Sequence, residues 1–265
     1  MNKYKELITY LKNLKSVAVA FSGGVDSTLL LKACKEALGD NAIAVTVVSP
    51  YVPKWEIEEA KELVKEMGIK SFFIEVPILE EMRSNPENRC YLCKKAIFNK
   101  IKLLAKENGV EYVVDGTNAD DIKDYRPGLK ALRELEIKSP FLENSITKEE
   151  VRAFSKELGL KTWNKPAYAC LLSRIPYNQN IDENDLNRVE KSELYLMNLG
   201  FKGVRVRSHG DLARIEVQKN DREKLIDGNI LDNISIELKR LGFKYVTLDL
   251  EGYKMGSLNE GRTNK

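Results

Sequence analysis

Two spacings of apolar residues alternate along this chain, and their order predicts its architecture. Tyr4, Leu7, Ile8, Leu11 and Leu14 share one stripe at helical spacing, so 2–14 reads as an amphipathic helix. Residues 16–21 are instead a short run of small and β-branched residues, the pattern of a strand buried on both faces. Leu29, Leu30, Ala33, Cys34, Ala37 and Leu38 return to helical spacing, with lysines and a glutamate between them and Gly39 as the stop. The alternation continues with a strand at 42–48, a helix at 54–67 ended by Gly68, a strand at 71–76, a helix at 94–108 and a strand at 112–115. Strands alternating with helices predict βαβ units: an α/β fold in which helices cover both faces of a parallel sheet.

Beyond the fourth strand the pattern loosens. Residues 124–128 read as a loop, 129–135 as a short helix and 139–142 as a connection. Thr147 with Glu150 three residues on has the capping-box pattern, so a helix runs from there to Leu158 and stops at Gly159. Residues 165–177 carry prolines near both ends and neither period, which reads as a structured loop near a site and closes a first domain over 1–177. From Asp182 the chain reads as helix (182–199), strands (204–206 and 212–218), helix (229–241) and strand (245–250), a small α+β domain over 178–265. The residues from Met255 onward read as a frayed tail.

Composition narrows the class. At 265 residues and 43% hydrophobic content, with no apolar run near the roughly 20 residues of a membrane span, the chain reads as soluble and globular, without a membrane partner. The lysine-rich first 14 residues carry no small-residue cleavage site, so a cytoplasmic location is expected. A net charge of +3 gives no sign of the basic surface of a dedicated nucleic-acid binder. Four cysteines in such a chain point to metal or catalytic work and away from a disulfide framework.

The candidate chemistry begins at Ala20-Phe21-Ser22-Gly23-Gly24-Val25-Asp26-Ser27-Thr28, between the first strand and its helix. Gly23 and Gly24 lack a Cβ, so backbone N–H groups can approach a ligand closely, and the free N–H groups of the helix start favour an anion. No lysine follows as in G-x-x-x-x-G-K-[ST], and G-x-G-x-x-G is absent. At the end of the fourth strand, Gly116 leads to Asp120 and Asp121, two carboxylates able to bind Mg²⁺ or to serve as a solvated turn that caps the next segment. Cys90 and Cys93 form a C-x-x-C pair just before the predicted helix at 94–108. A polar loop precedes it where a thioredoxin-like dithiol would follow a strand, and no second pair completes a zinc site. With Cys170 the pair could hold three irons of a [4Fe–4S] cluster and leave the fourth open, while Cys34 falls on a core stripe. Arg205 and Arg207, two apart on a strand, leave the same face; with His209 they form either a cationic cluster for phosphate or carboxylate, or ordinary surface arginines.

Ser22 to Ser27 resembles the S-G-G-x-D-S loop of the PP-loop ATP pyrophosphatases, Rossmann-like enzymes that cleave ATP between the α- and β-phosphates. Together with 115–121 (Asp-Gly-Thr-Asn-Ala-Asp-Asp), Lys165-Pro166 through Cys170, 173–177 and 204–207, the chain resembles over nearly its whole length the LarE family of ATP-dependent sulfur transferases. The resemblance implies adenylation of a carboxylate on pyridinium-3,5-biscarboxylic acid mononucleotide and displacement of AMP by sulfur, in nickel-pincer nucleotide synthesis. It assigns Ala20, Ser22, Gly23, Gly24, Asp26, Ser27, Thr46, Val47, Gly116 and Asp120 to ATP and Mg²⁺, and Cys170, Asp26, Arg205 and Arg207 to catalysis. Cys90, Cys93 and Cys170 match the branch that holds a [4Fe–4S] cluster, which makes Cys170 a ligand more than a sacrificial sulfur donor; the pattern does not name the source of sulfide. Homo-oligomers are also implied. Asn178 stands where the family usually has glycine, and asparagine tolerates the same left-handed turn. Three rivals share part of the pattern: a PP-loop tRNA thiolase, an amidotransferase-type synthetase and a non-catalytic nucleotide-binding module.

Overall fold

A computed structural model of the chain describes residues 2–123 and 127–254. The readings of 124–126 as loop and of the tail from Met255 lie outside these residues. Two compact units divide the described residues, one of 2–82 with 88–123 and 127–165, the other of 83–87 with 166–254. The division thus comes at Lys165, where the sequence pattern placed it after Tyr177. Asn85 accounts for part of the difference. It is fully buried, and its Nδ2 donates to the carbonyls of Ile175 (2.9 Å), Pro176 (2.9 Å) and Leu172 (3.4 Å), tying 83–87 and the 166–177 loop into the second unit.

The first unit contains α1 (Asn2–Leu14), β1 (Val17–Ala20), α2 (Val25–Leu38), β2 (Ala42–Val48), α3 (Lys54–Glu66), β3 (Ser71–Glu75), α4 (Arg89–Glu107), β4 (Tyr112–Val114), α5 (Pro127–Glu134), α6 (Pro140–Glu143) and α7 (Lys148–Glu157). Its sheet has the order β3-β2-β1-β4 with every pairing parallel. Alternation along β1 sends Val17 and Val19 to one face, into a core shared with Leu7, Leu11, Leu29, Leu30 and Val151. Ala18 faces the other way, with Ile43, Val45, Phe98 and Ile101. The sheet is therefore covered on both faces, which is why its strands read as continuous apolar runs. Because β2 and β4 flank β1 on opposite sides, the chain reverses direction of travel at the carboxyl end of β1, the place where open α/β sheets leave a crevice.

Three elements differ from the sequence pattern. α4 begins at Arg89, so Cys90 and Cys93 lie within its first turns and not ahead of it. Residues 140–143 are a helical turn opened by a proline, and α5 begins at Pro127. The predicted capping box is present: Glu150 N–H donates to Thr147 Oγ1, and Thr147 N–H to Glu150 Oε2.

The second unit contains α8 (Glu183–Asn198), β5 (Arg205–His209), β6 (Leu212–Glu216), α9 (Gly228–Arg240) and β7 (Tyr245–Leu248). β5 and β6 pair antiparallel and β6 and β7 parallel, giving a small mixed sheet. Among the described residues no helix is long and apolar enough to cross a membrane.

Candidate active site

The loop after β1 is held open by its own side chains. Gly24 caps α2 with no side chain to occupy the first-turn N–H groups, and Gly23 takes φ +69°. Ser27 Oγ accepts from Ser22 N–H (3.2 Å) and lies 3.2 Å from Ser22 Oγ, drawing the loop round the helix start. Lys165 straps it from outside, its Nζ on Gly23 O (3.1 Å) and Glu59 Oε2 (2.6 Å). A cavity of about 240 Å³ opens here, lined by Ala20, Ser22, Gly24, Asp26, Ser27, Lys94, Asp115, Gly116 and Asp121 among others. Its donors are backbone N–H groups at a helix start and a lysine, the equipment of an anion site.

Asp26 is the centre of a closed ring of hydrogen bonds. Asn118 Nδ2 donates to its Oδ1 (3.1 Å), and Lys148 Nζ forms an ion pair with its Oδ2. Lys148 N–H donates to Asp120 Oδ2 (2.8 Å), and Asp120 N–H returns to Asn118 Oδ1 (3.0 Å). Asp121 Oδ2 accepts from Asn118 N–H (3.0 Å). Of the two neighbouring carboxylates, Asp120 therefore receives the start of α7 and Asp121 closes its own turn. Gly116 is needed for this approach: a Cβ there would lie 3.0 Å from Asp26 Cβ and 3.2 Å from Ser27 N. Asp115 is buried and accepts from Thr117 Oγ1 (2.6 Å) and Ser139 Oγ (2.7 Å), with Lys94 Nζ at 4.0 Å. At the end of β2, Thr46 is buried with its Oγ1 unbonded among the described residues, as is Ser49 Oγ, and Val47 is half-buried. A larger cavity of about 850 Å³ lies at the amino end of β4, lined by Lys102, Lys106 and Lys138. None of the residues singled out for chemistry reaches it.

Cys90 is exposed and Cys93 half-buried, with Cys93 Sγ 3.5 Å from Tyr51 Oη. Cys170 is half-buried and belongs to the second unit, and no disulfide joins any of the cysteines. Cys34 is buried on α2, and desolvation pushes its thiol well above the ordinary range. Among the described residues, no three His, Cys, Asp or Glu side chains gather into a group able to hold a metal ion.

In the second unit the loop around Cys170 rests on buried charge. Arg174 Nη1 donates to Ala169 O (2.7 Å) and Cys170 O (3.2 Å), while its Nε and Nη2 meet both oxygens of Glu193 (2.8 and 2.9 Å). Arg207 makes the same two-pronged contact with Glu216 (2.9 and 2.8 Å) and donates to Ser173 O. Arg205 donates to Ala167 O (2.6 Å) and lies over the rings of Tyr168 and Tyr253. Arg205 and Arg207 do share a face of β5, but the 167–174 segment covers it, leaving them 2% and 6% exposed. His209 is exposed at the strand end; partial burial and then Arg214 and Arg207 lower its pKa. Burial and the charge of Arg174 lower that of Arg205.

Sequence patterns passed over Lys148, Asn118, Lys94, Asp115, Arg174 and Glu193 as candidate site residues. Lys148 had one signal, its place directly after a capping-box threonine, which fixes it at a helix start.

A family model described as NAD synthase matches residues 4–119. The pyridinium-3,5-bisthiocarboxylic acid mononucleotide synthase of Lactiplantibacillus plantarum is 38% identical, over 98% of this chain and 95% of its own. An uncharacterized protein of Synechocystis is 42% identical over 97% of both chains. One subunit of the glutamine-hydrolyzing GMP synthase of Archaeoglobus fulgidus is 27% identical over 60% of this chain and 55% of its own.

Proposed function

The chain belongs to the LarE family of PP-loop enzymes, and from that premise we propose that it is an ATP-dependent sulfur transferase acting on a carboxylate of pyridinium-3,5-biscarboxylic acid mononucleotide. The observation that carries this reading is likeness to the L. plantarum synthase across both units, where likeness to the GMP synthase of A. fulgidus covers 60% of the chain.

A carboxylate is a poor electrophile because its leaving group would be an oxide. In the proposed reaction its oxygen attacks the α-phosphorus of ATP, the α–β bond breaks, and pyrophosphate leaves into the loop at Ser22–Ser27. Hydrosulfide sulfur then forms a bond to the acyl carbon, the carbon–oxygen bond to AMP breaks, and a thiocarboxylate remains. The free N–H groups of α2 and Lys94 stabilise the charge that develops on the pyrophosphate. Asp26 offers oxygen to Mg²⁺, and Gly116 lets the end of β4 close on it. The buried Arg174, Arg205 and Arg207 hold carbonyls of the 167–173 segment, and so order the loop that carries Cys170.

The family resemblance also implies a [4Fe–4S] group held by thiols; none of the cysteines is in a disulfide, and Cys34 is excluded by burial. Cys90, Cys93 and Cys170 would hold it, and it would supply a binding place for the sulfide that is transferred. The test is pyrophosphate release with the acceptor present and absent. Release that depends on the pyridinium dicarboxylate supports the assignment. Release driven equally by ammonia would favour the amidotransferase chemistry of the GMP synthase relatives, and release stimulated by tRNA a thiolase.

A further inference from the structure

The loop at Ser22–Ser27 lacks the in-line lysine with which G-x-x-x-x-G-K-[ST] loops reach phosphate. A lysine nevertheless stands at this loop, brought from 122 residues away: Lys148, whose Nζ lies on Asp26 Oδ2. We propose that Lys148 is a movable counter-ion: it neutralises Asp26 when no nucleotide is bound, and passes to the phosphate oxygens when Mg²⁺ takes that carboxylate. The proposal rests on the ATP reading above and deepens it.

The argument starts from what is fixed and what is free. The backbone of Lys148 is fixed, because the Thr147–Glu150 capping box orders the first turn of α7, Lys3 Nζ holds Glu150 (2.9 Å), and Asp120 Oδ2 accepts the Lys148 N–H. Asp26 is fixed from the other side by Asn118. The lysine side chain is the free part. It is 33% exposed and Asp26 24% exposed, so the pair sits where water competes and ion pairs are weak. An ammonium on a four-carbon stem is a point charge that can re-aim without disturbing its helix. A divalent cation is the stronger competitor for a carboxylate oxygen. Once it binds, repulsion drives the ammonium off, and the nearest excess of negative charge is the phosphate that arrived with the metal. A positive charge is thus kept beside Asp26 in both states, which avoids a bare carboxylate facing an incoming polyanion.

The experiment is calorimetric titration of the full-length chain with inorganic pyrophosphate in Mg²⁺, together with Mn²⁺ titration alone by electron paramagnetic resonance, on wild type, Lys148→Met and Lys148→Arg. In Lys148→Met, pyrophosphate affinity is expected to fall about tenfold, the worth of one charge-assisted hydrogen bond. Mn²⁺ affinity should rise, because the competitor for Asp26 is gone. Opposite movements cannot come from general damage, which would weaken both. Should Lys148→Met fail to fold, Lys148→Arg decides: its fork grips the carboxylate more firmly and should raise the Mn²⁺ concentration needed for half-saturation several-fold. Unchanged pyrophosphate affinity in Lys148→Met, parallel losses of both ligands, or an Arg variant indistinguishable from wild type would each overturn the proposal. A wild-type chain that ignores pyrophosphate would instead overturn the ATP reading itself.

Discussion

Replacing Glu193 by glutamine should cost far more than removing one surface charge. The carboxylate and its partner Arg174 are 5% and 1% exposed, so neither group is rescued by water. Glutamine keeps one acceptor oxygen but turns an amide toward the guanidinium, leaving Arg174 a buried cation with half its partner. Breaking such a pair from one side costs about 3–5 kcal/mol. Glu193 Oε1 also accepts from Val206 N–H (2.9 Å), so the strand carrying Arg205 and Arg207 loosens with it. Urea unfolding followed by circular dichroism measures the loss, and the paired replacement Arg174→Met with Glu193→Leu supplies the uncharged comparison. The double variant should be more stable than Glu193→Gln, because no charge remains to be stranded. Because Arg174 also holds the carbonyls of Ala169 and Cys170, alkylation of Cys170 should quicken in Glu193→Gln. A cost below about 1 kcal/mol, the worth of an exposed pair, would refute the reasoning.

Gly116→Ala would press a Cβ against Asp26 and Ser27 backbone, so pyrophosphate release should fall about 100-fold, the effect of displacing reacting groups by an ångström, with little change in the midpoint of unfolding. Iodoacetamide at any pH up to that of ordinary thiols should leave Cys34 unlabelled in the folded chain while Cys90, Cys93 and Cys170 react, because burial raises the Cys34 thiol; mass spectrometry showing a fourth label without denaturant would contradict this. Thr147→Ala should cost about 1 kcal/mol through loss of the capping box and weaken Mg²⁺-dependent pyrophosphate binding by loosening Lys148; equal binding would separate the cap from the site.

How much of this was legible in the sequence depended on range. The strand, glycine turn and helix at 17–38 were readable because each is decided within a few residues, by period, by a missing Cβ and by a stop at Gly39. The parallel sheet followed from alternation alone. Arg205 and Arg207 were readable as a pair on one face, but not as buried, because the segment that covers that face lies more than 30 residues away and has no period of its own. The compact units divide at Lys165 where the sequence pattern points to Tyr177, and range matters here too: Asn85 reaches 87 to 91 residues along the chain to hold the carbonyls beyond Cys170. α4 was started too late because Arg89 to Cys93 carries no apolar stripe, although its backbone continues the helix. Lys148 and Asn118 contact Asp26 from 122 and 92 residues away, a juxtaposition that no local pattern encodes.

The most direct test of the central claim is the mass of the acceptor after anaerobic incubation with Mg–ATP, sulfide and the iron-loaded chain. The account predicts replacement of one carboxylate oxygen by sulfur, with AMP and pyrophosphate formed in equal amount and no turnover in Cys170→Ala. An acceptor recovered with its mass unchanged, while ATP is cleaved at the same rate with or without it, would contradict the account.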